Sequence, residues 1–153
     1  MNTEKYEKFI ADVPDFPVKG IIFKDITPLL ENPEAYQAVI DDMAELVKDI
    51  DFDKVLTCDA RGFLFGGPLA LKLNKPLVLA RKLGKLPSGG ATASYAMEYG
   101  FNSLQVSQNS LLAEEKVLIV DDILATGGSS LACKKVIEAC GAKTTGICHL
   151  LEL

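Results

Sequence analysis

The chain has 153 residues, of which 48% are hydrophobic and 24% are charged, so it is long enough for one domain with a buried core. Its formal net charge of -5 at pH 7 argues against broad binding to nucleic acids or anionic membranes, because these partners require a basic surface. The apolar runs are too short for a membrane span and MNTEKYEKFI has no apolar signal core, so we expect a cytoplasmic protein.

The elements in the first half of the chain are predicted from caps and apolar spacing. Asn32 before Pro33 is typical of a helix start, and apolar residues then recur at helical spacing, so we expect a helix over 33–50. Short apolar runs predict strands over 54–58 and 76–80, on either side of a helix over 66–73.

In the second half, residues 94–98 and 104–106 are predicted as a hairpin whose turn contains Gly100 and Asn102. A buried strand over 117–120 is followed by an anionic loop and by a helix over 130–139. Gly141 is a plausible C-cap, and the last strand is predicted over 144–151.

Alternating strands and helices predict an α/β fold with a mainly parallel sheet that helices cover on both faces. Such sheets bind their ligands at the carboxyl ends of the strands. Three candidate site segments lie there: 59–62, 80–87 and 121–130.

The four cysteines form no CxxC pair and have apolar neighbours, so we expect reduced thiols in the core. The single histidine, His149, lies in the predicted last strand without a spaced cysteine partner for zinc. We therefore expect His149 to be structural.

The segment VLIVDDILATGGSS, residues 117–130, carries the strongest functional signal. Its two glycines allow a ligand to approach the backbone, and its hydroxyls lie beside the free amides of a helix N-terminus, an arrangement that favours a phosphate. Asp121 and Asp122 would repel that phosphate unless they hold something else. Sugar hydroxyls or a magnesium-bound substrate would meet this requirement.

The same segment lacks the lysine of a Walker A loop and the spacing of GxGxxG. It closely resembles the 5-phosphoribosyl-1-pyrophosphate (PRPP) motif of type I phosphoribosyltransferases, in which the paired acids contact the ribose hydroxyls and the following loop wraps the 5-phosphate. The implied PRPP-binding residues are Asp121, Asp122, Ala125, Thr126, Gly127, Gly128 and Ser129.

Other motifs extend the resemblance over almost the whole chain, and their order is similar to that of adenine phosphoribosyltransferases. They are FPVKGIIFKDITPLL at 16–30, CDARGFLFG at 58–66, RKLGKLP at 81–87 and SYAMEYG at 94–100. The resemblance implies the type I phosphoribosyltransferase fold in a single domain over 1–153. Residues 1–30 would form a small hood on the adenine side, and residues 31–153 would form the core.

The resemblance also implies the remaining site residues. The loop at 59–62, which commonly contains a non-proline cis peptide in this family, and the basic segment after it would hold pyrophosphate through Asp59, Ala60, Arg61, Gly62, Arg81, Lys82 and Lys85. Glu98 would handle the proton of the adenine ring, and Arg61 would hold the leaving group. The resemblance therefore implies Glu98 and Arg61 as the catalytic residues. Adenine would contact Ile22, Phe23 and Lys24, of which Lys24 replaces an arginine that is common in the family.

The implied reaction transfers the phosphoribosyl group of PRPP to adenine and yields AMP and pyrophosphate in purine salvage. Mg²⁺ would be carried by PRPP without direct protein ligands, and the chain would form a homodimer. A non-catalytic PRPP or nucleotide sensor, or a transferase for another base, are the alternatives. The chain stops at HLLEL, where family members usually continue for about another helix and strand, so we expect either a shortened form or a truncated product.

Overall fold

The structure is a computed structural model that describes residues 4–87, 89–97, 100–124 and 128–152. The chain divides into two compact units, Met1–Glu45 and Leu46–Leu153. The described residues form helices and strands with the bounds α1 Glu4–Glu7, β1 Ala11–Pro14, β2 Ile22–Asp25, α2 Thr27–Leu30, α3 Pro33–Val47, β3 Lys54–Cys58, α4 Phe63–Lys72, β4 Leu77–Lys82, β5 Gly89–Met97, β6 Gly100–Ser107, β7 Lys116–Leu124, α5 Gly128–Ala139 and β8 Lys143–Glu152.

The smaller unit contains an antiparallel pair of strands, β1 and β2, and most of α3. The predicted cap of α3 is confirmed, because Asn32 Oδ1 accepts a hydrogen bond of 3.0 Å from the backbone N–H of Ala35. The helix ends at Val47, three residues before the predicted end at Ile50, since the backbone N–H of Ile50 bonds to the carbonyl of Val47 in a closing turn.

The larger unit contains a six-stranded sheet with the order β5-β6-β4-β3-β7-β8. Strands β4, β3, β7 and β8 are parallel neighbours in that order. Strands β6 and β5 extend the sheet beyond β4 in antiparallel pairing. The predicted α/β fold with a mainly parallel sheet is therefore confirmed.

Helices α4 and α5 cover opposite faces of this sheet. Leu56 of β3 packs in the same buried cluster as Val136 and Ile137 of α5. The next residue, Thr57, lies against α4, where a Cβ added to Gly66 would be 2.6 Å from Thr57 Cβ. Because successive residues of a strand point to opposite faces, the two helices enclose β3 from both sides.

The predicted bounds differ most where strand pairing extends an element. Asp121 and Asp122 lie inside β7 and not in a loop, because β7 and β8 stay paired as far as Leu124. Gly100 and Asn102 belong to β6 and not to a turn, since both pair with β5. The helix predicted over 66–73 is α4, which begins at Phe63. Gly141 has a φ of 77° at the end of α5, which confirms the predicted C-cap.

Candidate active site

The carboxyl ends of three neighbouring strands form the edge of the sheet where the candidate site residues gather. Cys58 at the end of β3 pairs with Ala80 of β4, and Thr57 pairs with Val120 of β7. The loop at 59–62, the end of β4 and the end of β7 therefore lie side by side. This arrangement brings the implied pyrophosphate loop next to the paired acids.

The loop at 59–62 packs directly against β7. Its Asp59–Ala60 peptide is cis, as the family resemblance implied. A Cβ added to Gly62 would lie 2.7 Å from Asp121 Oδ1 and 2.8 Å from the carbonyl oxygen of Cys58. Only glycine fits at this position without displacing the acid or the backbone.

An ion pair joins this loop to β7. Arg61 Nε lies 2.5 Å from Asp122 Oδ2, with 30% of the arginine side chain and 12% of the aspartate side chain exposed. The implied pyrophosphate-binding cation and one of the implied ribose-binding acids are therefore already in contact. The Arg61 side chain is thus only partly buried, and a guanidinium group can bind an anion through two parallel N–H donors.

A second ion pair connects the loop to β4. Arg81 Nε donates to Asp59 Oδ2 across 3.2 Å, and the Arg81 guanidinium carbon lies 5.9 Å from the centre of the Phe63 ring. Lys82 ends β4 and Lys85 lies in the turn that follows, in which Gly84 has a φ of 86°; both lysines are exposed. The basic segment thus extends from the sheet edge into solvent.

Asp121 is a buried carboxyl, and only 6% of the residue is exposed. Its Oδ1 accepts a hydrogen bond of 2.8 Å from the backbone N–H of Asp122, and its Oδ2 accepts one of 3.2 Å from Ser129 Oγ. Burial raises the pKa of Asp121 to about 7, and the negative charge of Asp122 acts in the same direction. Asp121 therefore takes up and releases its proton near neutral pH.

The first turn of α5 completes this edge of the site. Gly128 begins the helix, and the positive dipole end of a helix favours an anion. Ser129 contacts Asp121, and the next residue, Ser130, is buried with its Oγ 2.9 Å from His149 Nε2. His149, which sequence analysis treated as structural, thus lies beside the predicted phosphate site.

The three implied adenine-binding residues lie in β2 of the smaller unit. Ile22 is 57% exposed, and the Phe23 ring packs edge-on against Phe16 with the ring centres 5.1 Å apart. Lys24 forms an ion pair of 2.5 Å with Asp12. Within the smaller unit, Lys24 therefore pairs with an acid of the neighbouring strand β1.

Four predicted site residues, Glu98, Ala125, Thr126 and Gly127, lie outside the described residues. Within the described ranges, no group of three histidine, cysteine, aspartate or glutamate side chains is arranged to hold a metal ion. None of the helices described here is both long and apolar enough to cross a membrane.

Thr57, which lies beneath the site, is not among the predicted site residues. Thr57 is fully buried, and its Oγ1 has no hydrogen-bond partner among the described residues. Cβ atoms added to Gly62 and Gly66 would each lie 2.8 Å from this oxygen. The signal in the sequence is a threonine within the apolar part of the strand KVLTC, two residues before Asp59.

Comparison with known proteins agrees with this arrangement of loops. Residues 25–152 match the family described as "Phosphoribosyl transferase domain". Adenine phosphoribosyltransferase of Pseudothermotoga lettingae is 51% identical over 146 residues, which cover 95% of this chain and 86% of the relative.

Solved structures give the same result. Adenine phosphoribosyltransferase of Thermoanaerobacter pseudethanolicus matches with a TM-score of 0.93 and 36% identity, over 99% of this chain and 100% of the other. The Saccharomyces cerevisiae enzyme, solved with adenine and an imino-altritol bisphosphate, matches with a TM-score of 0.91 and 35% identity, over 99% of this chain and 88% of the other. The chain therefore belongs to the phosphoribosyl transferase family.

Proposed function

We propose that this chain transfers the 5-phosphoribosyl group of PRPP to adenine and produces AMP and pyrophosphate in purine salvage. The observation that carries the proposal is the Arg61–Asp122 ion pair, which joins the loop at 59–62 to the acids of β7. A substrate with a diphosphate and two sugar hydroxyls on one ring matches these two groups. The yeast relative was solved with adenine together with a sugar-like bisphosphate.

In the proposed reaction, the bond between the anomeric carbon and the diphosphate oxygen breaks while adenine N9 forms a bond to that carbon. The transition state resembles an oxocarbenium ion, and negative charge accumulates on the departing diphosphate. Arg61, Arg81, Lys82 and Lys85 neutralise this charge in the proposal. Of these four cations, Arg61 and Arg81 have the strongest support, since carboxylates hold both at the sheet edge.

Asp121 and Asp122 orient the ribose in this proposal by accepting hydrogen bonds from its hydroxyls. When PRPP binds, the diphosphate competes for Arg61 and a ribose hydroxyl competes for Asp122, so the ion pair is exchanged for substrate contacts. The 5-phosphate is assigned to residues 125–129, of which Gly128 and Ser129 start α5. Glu98 is assigned to take the proton that leaves the adenine ring.

Mg²⁺ is proposed to enter with PRPP. Magnesium requires about six oxygen ligands, and the two acids at this edge already contact other side chains, Asp121 with Ser129 and Asp122 with Arg61. The oxygen atoms of the substrate and of water therefore supply the ligands of the ion in this proposal. When bound, Mg²⁺ supplies charge neutralisation at the diphosphate.

Adenine is assigned to β2 and thus to the smaller unit, with residues 1–30 as a hood within the single domain 1–153. An exposed Ile22 and the aromatic Phe23 offer an apolar surface for a flat purine. Lys24 cannot bind in the forked manner of arginine, and its partner here is Asp12. We therefore assign base recognition to Ile22 and Phe23 before Lys24.

We also propose a homodimer and a cytoplasmic location. Four leucines of α4 and β4 are exposed by 37% to 84%: Leu64, Leu71, Leu77 and Leu79. Such an apolar surface favours a second copy of the chain. The four free cysteines are typical of a reducing compartment. Leu71→Glu should shift the sedimentation coefficient to that of a monomer, whereas Leu131→Glu on α5, 53% exposed in the native chain, should not.

The decisive experiment is a panel of purines and orotate with PRPP and Mg²⁺, with pyrophosphate release as the measurement. Turnover with adenine alone supports the proposal. Turnover with hypoxanthine, xanthine or orotate instead would assign another base. Saturable PRPP binding without turnover would favour a sensor.

A pair of variants tests the assigned proton acceptor. Glu98→Gln should depress turnover more than PRPP binding, because the amide cannot accept the proton. Glu138→Gln, at an exposed position of α5, is the matched control and should leave both quantities unchanged. Loss of PRPP binding with intact turnover in Glu98→Gln would contradict the assignment.

A further inference from the structure

The first turn of α5 is tied to the sheet by side chains from two adjacent strands. Ser129 Oγ donates to Asp121 Oδ2 of β7 across 3.2 Å, and Ser130 Oγ lies 2.9 Å from His149 Nε2 of β8. Asp121 and His149 are register partners in the parallel β7–β8 ladder. Their side chains therefore project from the same face of the sheet, towards neighbouring serines of one helical turn.

The Ser130–His149 contact is not required to attach α5 to the sheet. The helix buries four apolar side chains with no measurable exposure: Ala132, Cys133, Val136 and Ile137. These contacts supply the non-directional hydrophobic stabilisation of the helix. A hydrogen bond is directional, so this contact instead restricts the rotation of the first turn about the helix axis and the distance of that turn from the strands.

We propose that His149 is a positioning residue for the 5-phosphate site. By holding Ser130, it fixes the first turn of α5 so that the backbone N–H groups of that turn meet the phosphate without reorganisation. This inference rests on the proposed function only in requiring that a phosphorylated ribose binds at the start of α5.

The predicted effect is on substrate binding and not on the chemical step. The 5-phosphate does not react, so a contact that only prepares its site stabilises bound substrate and transition state alike. Its loss should raise KM for PRPP and leave kcat nearly unchanged. One hydrogen bond of ordinary strength corresponds to roughly a tenfold change in KM.

Three variants of His149 distinguish this hydrogen bond from mere occupancy of the position. Glutamine carries an amide group near the position of Nε2, asparagine carries one near Nδ1, and phenylalanine keeps the ring without either nitrogen. We expect His149→Gln to retain the native KM for PRPP. His149→Asn and His149→Phe should raise it about tenfold with kcat within about twofold.

Ile147→Thr is the matched control, because Ile147 lies two residues earlier on the same strand and face and is 46% exposed. Its KM for PRPP should remain native. Unchanged KM in all three His149 variants would overturn the proposal, as would a fall in kcat at native KM. An equal rise in KM for His149→Gln and His149→Phe would also overturn it.

A double-mutant cycle with Ser130→Ala tests the route of the effect. If His149 acts through Ser130, His149→Phe and Ser130→Ala should each raise KM, and the double variant should equal the larger single effect. Strictly additive effects would overturn this route. If His149→Phe does not fold, the comparison of glutamine with asparagine gives the same decision.

Calorimetric titration with ribose 5-phosphate separates this inference from the proposed function. The probe requires no base and no turnover, so its Kd should rise about tenfold in His149→Phe even if the purine panel shows no activity. A native Kd for ribose 5-phosphate in His149→Phe would overturn the inference while leaving phosphoribosyl transfer to adenine intact.

Discussion

Replacing Asp121 by asparagine separates the electrostatic cost of this carboxyl from its hydrogen bonds. Only 6% of Asp121 is exposed, and burial raises its pKa from an ordinary value of 3.8 to about 7. The folded chain then keeps a proton that the unfolded chain releases above pH 4. The contribution of Asp121 to stability therefore falls as the pH rises from about 4 to about 7, and it is constant above that range.

The size of this effect follows from the difference between the two pKa values. A pKa that is higher by roughly 3 in the folded chain than in the unfolded chain corresponds to about 4 kcal/mol of unfolding free energy at neutral pH and above. Asparagine has nearly the same shape, and its Oδ1 can still accept the 2.8 Å hydrogen bond from the backbone N–H of Asp122. Its amide can donate to the Ser129 hydroxyl, so the variant removes the charge and keeps the geometry.

We expect Asp121→Asn to be more stable than the native chain at pH 8 by about 2–4 kcal/mol in the absence of substrate. The difference should shrink to about 1 kcal/mol near pH 4.5. Urea unfolding at several pH values between 4.5 and 8 measures it. Asp49→Asn, an exposed position after α3, is the control and should change stability by less than about 0.5 kcal/mol at each pH.

The same variant should bind PRPP more weakly, because a neutral amide is a poorer acceptor for ribose hydroxyls than a carboxylate. A gain in stability together with a loss of binding would identify Asp121 as a residue that is costly in the free protein and useful in the complex. A variant less stable than the native chain at pH 8, or a difference independent of pH, would refute the reasoning.

Three other perturbations test the packing, the site and the thiols. Gly66→Ala should destabilise the fold by about 1–3 kcal/mol in urea unfolding, because the new methyl group would lie 2.6 Å from Thr57 Cβ. Gly67→Ala should not, since its nearest neighbour is 4.0 Å away, and equal effects would contradict the packing argument. Arg61→Lys should lower kcat/KM for PRPP at least about tenfold in steady-state assays, because lysine cannot bind a diphosphate through two parallel N–H donors as arginine does, and an unchanged value would exclude this role. A hydrogen bond to Cys133 and burial raise the pKa of the Cys58 thiol, and burial raises the pKa of Cys148 to about 11. Dithionitrobenzoate at pH 8 should therefore label both thiols much faster in urea than in the folded chain, and rapid native labelling of either would contradict this.

Local sequence patterns predicted the elements whose limits depend on local signals. The strand at 54–58 has the predicted bounds, because its apolar residues stand between charged neighbours and the site loop. The start of α3 follows from its Asn32 cap. By contrast, α1, β1, β2 and α2 are only four residues each, too short for a recognisable period.

The contacts within the site depend on the register of the strands, which local sequence patterns do not reveal. Strand order alone places Arg61, Arg81 and the acids at one edge, but it does not assign Arg61 to Asp122 and Arg81 to Asp59. His149 was predicted to be structural because it is a lone histidine in a terminal strand. Its proximity to Ser130 follows from the register of β8 against β7.

The end of β7 positions two different parts of the site through consecutive residues. Asp121 contacts Ser129 at the start of α5, and Asp122 contacts Arg61 in the loop after β3. Because neighbouring residues of a strand point to opposite faces, a slip of one residue would move one acid to the other's partner and leave the second partner facing Val120 or Ile123. The long pairing of β7 with β8 opposes such a slip, since it continues past both acids as far as Leu124. The register of β7 therefore fixes the position of the start of α5 relative to Arg61. The two acids can do this because they lie within a paired strand and not in a loop.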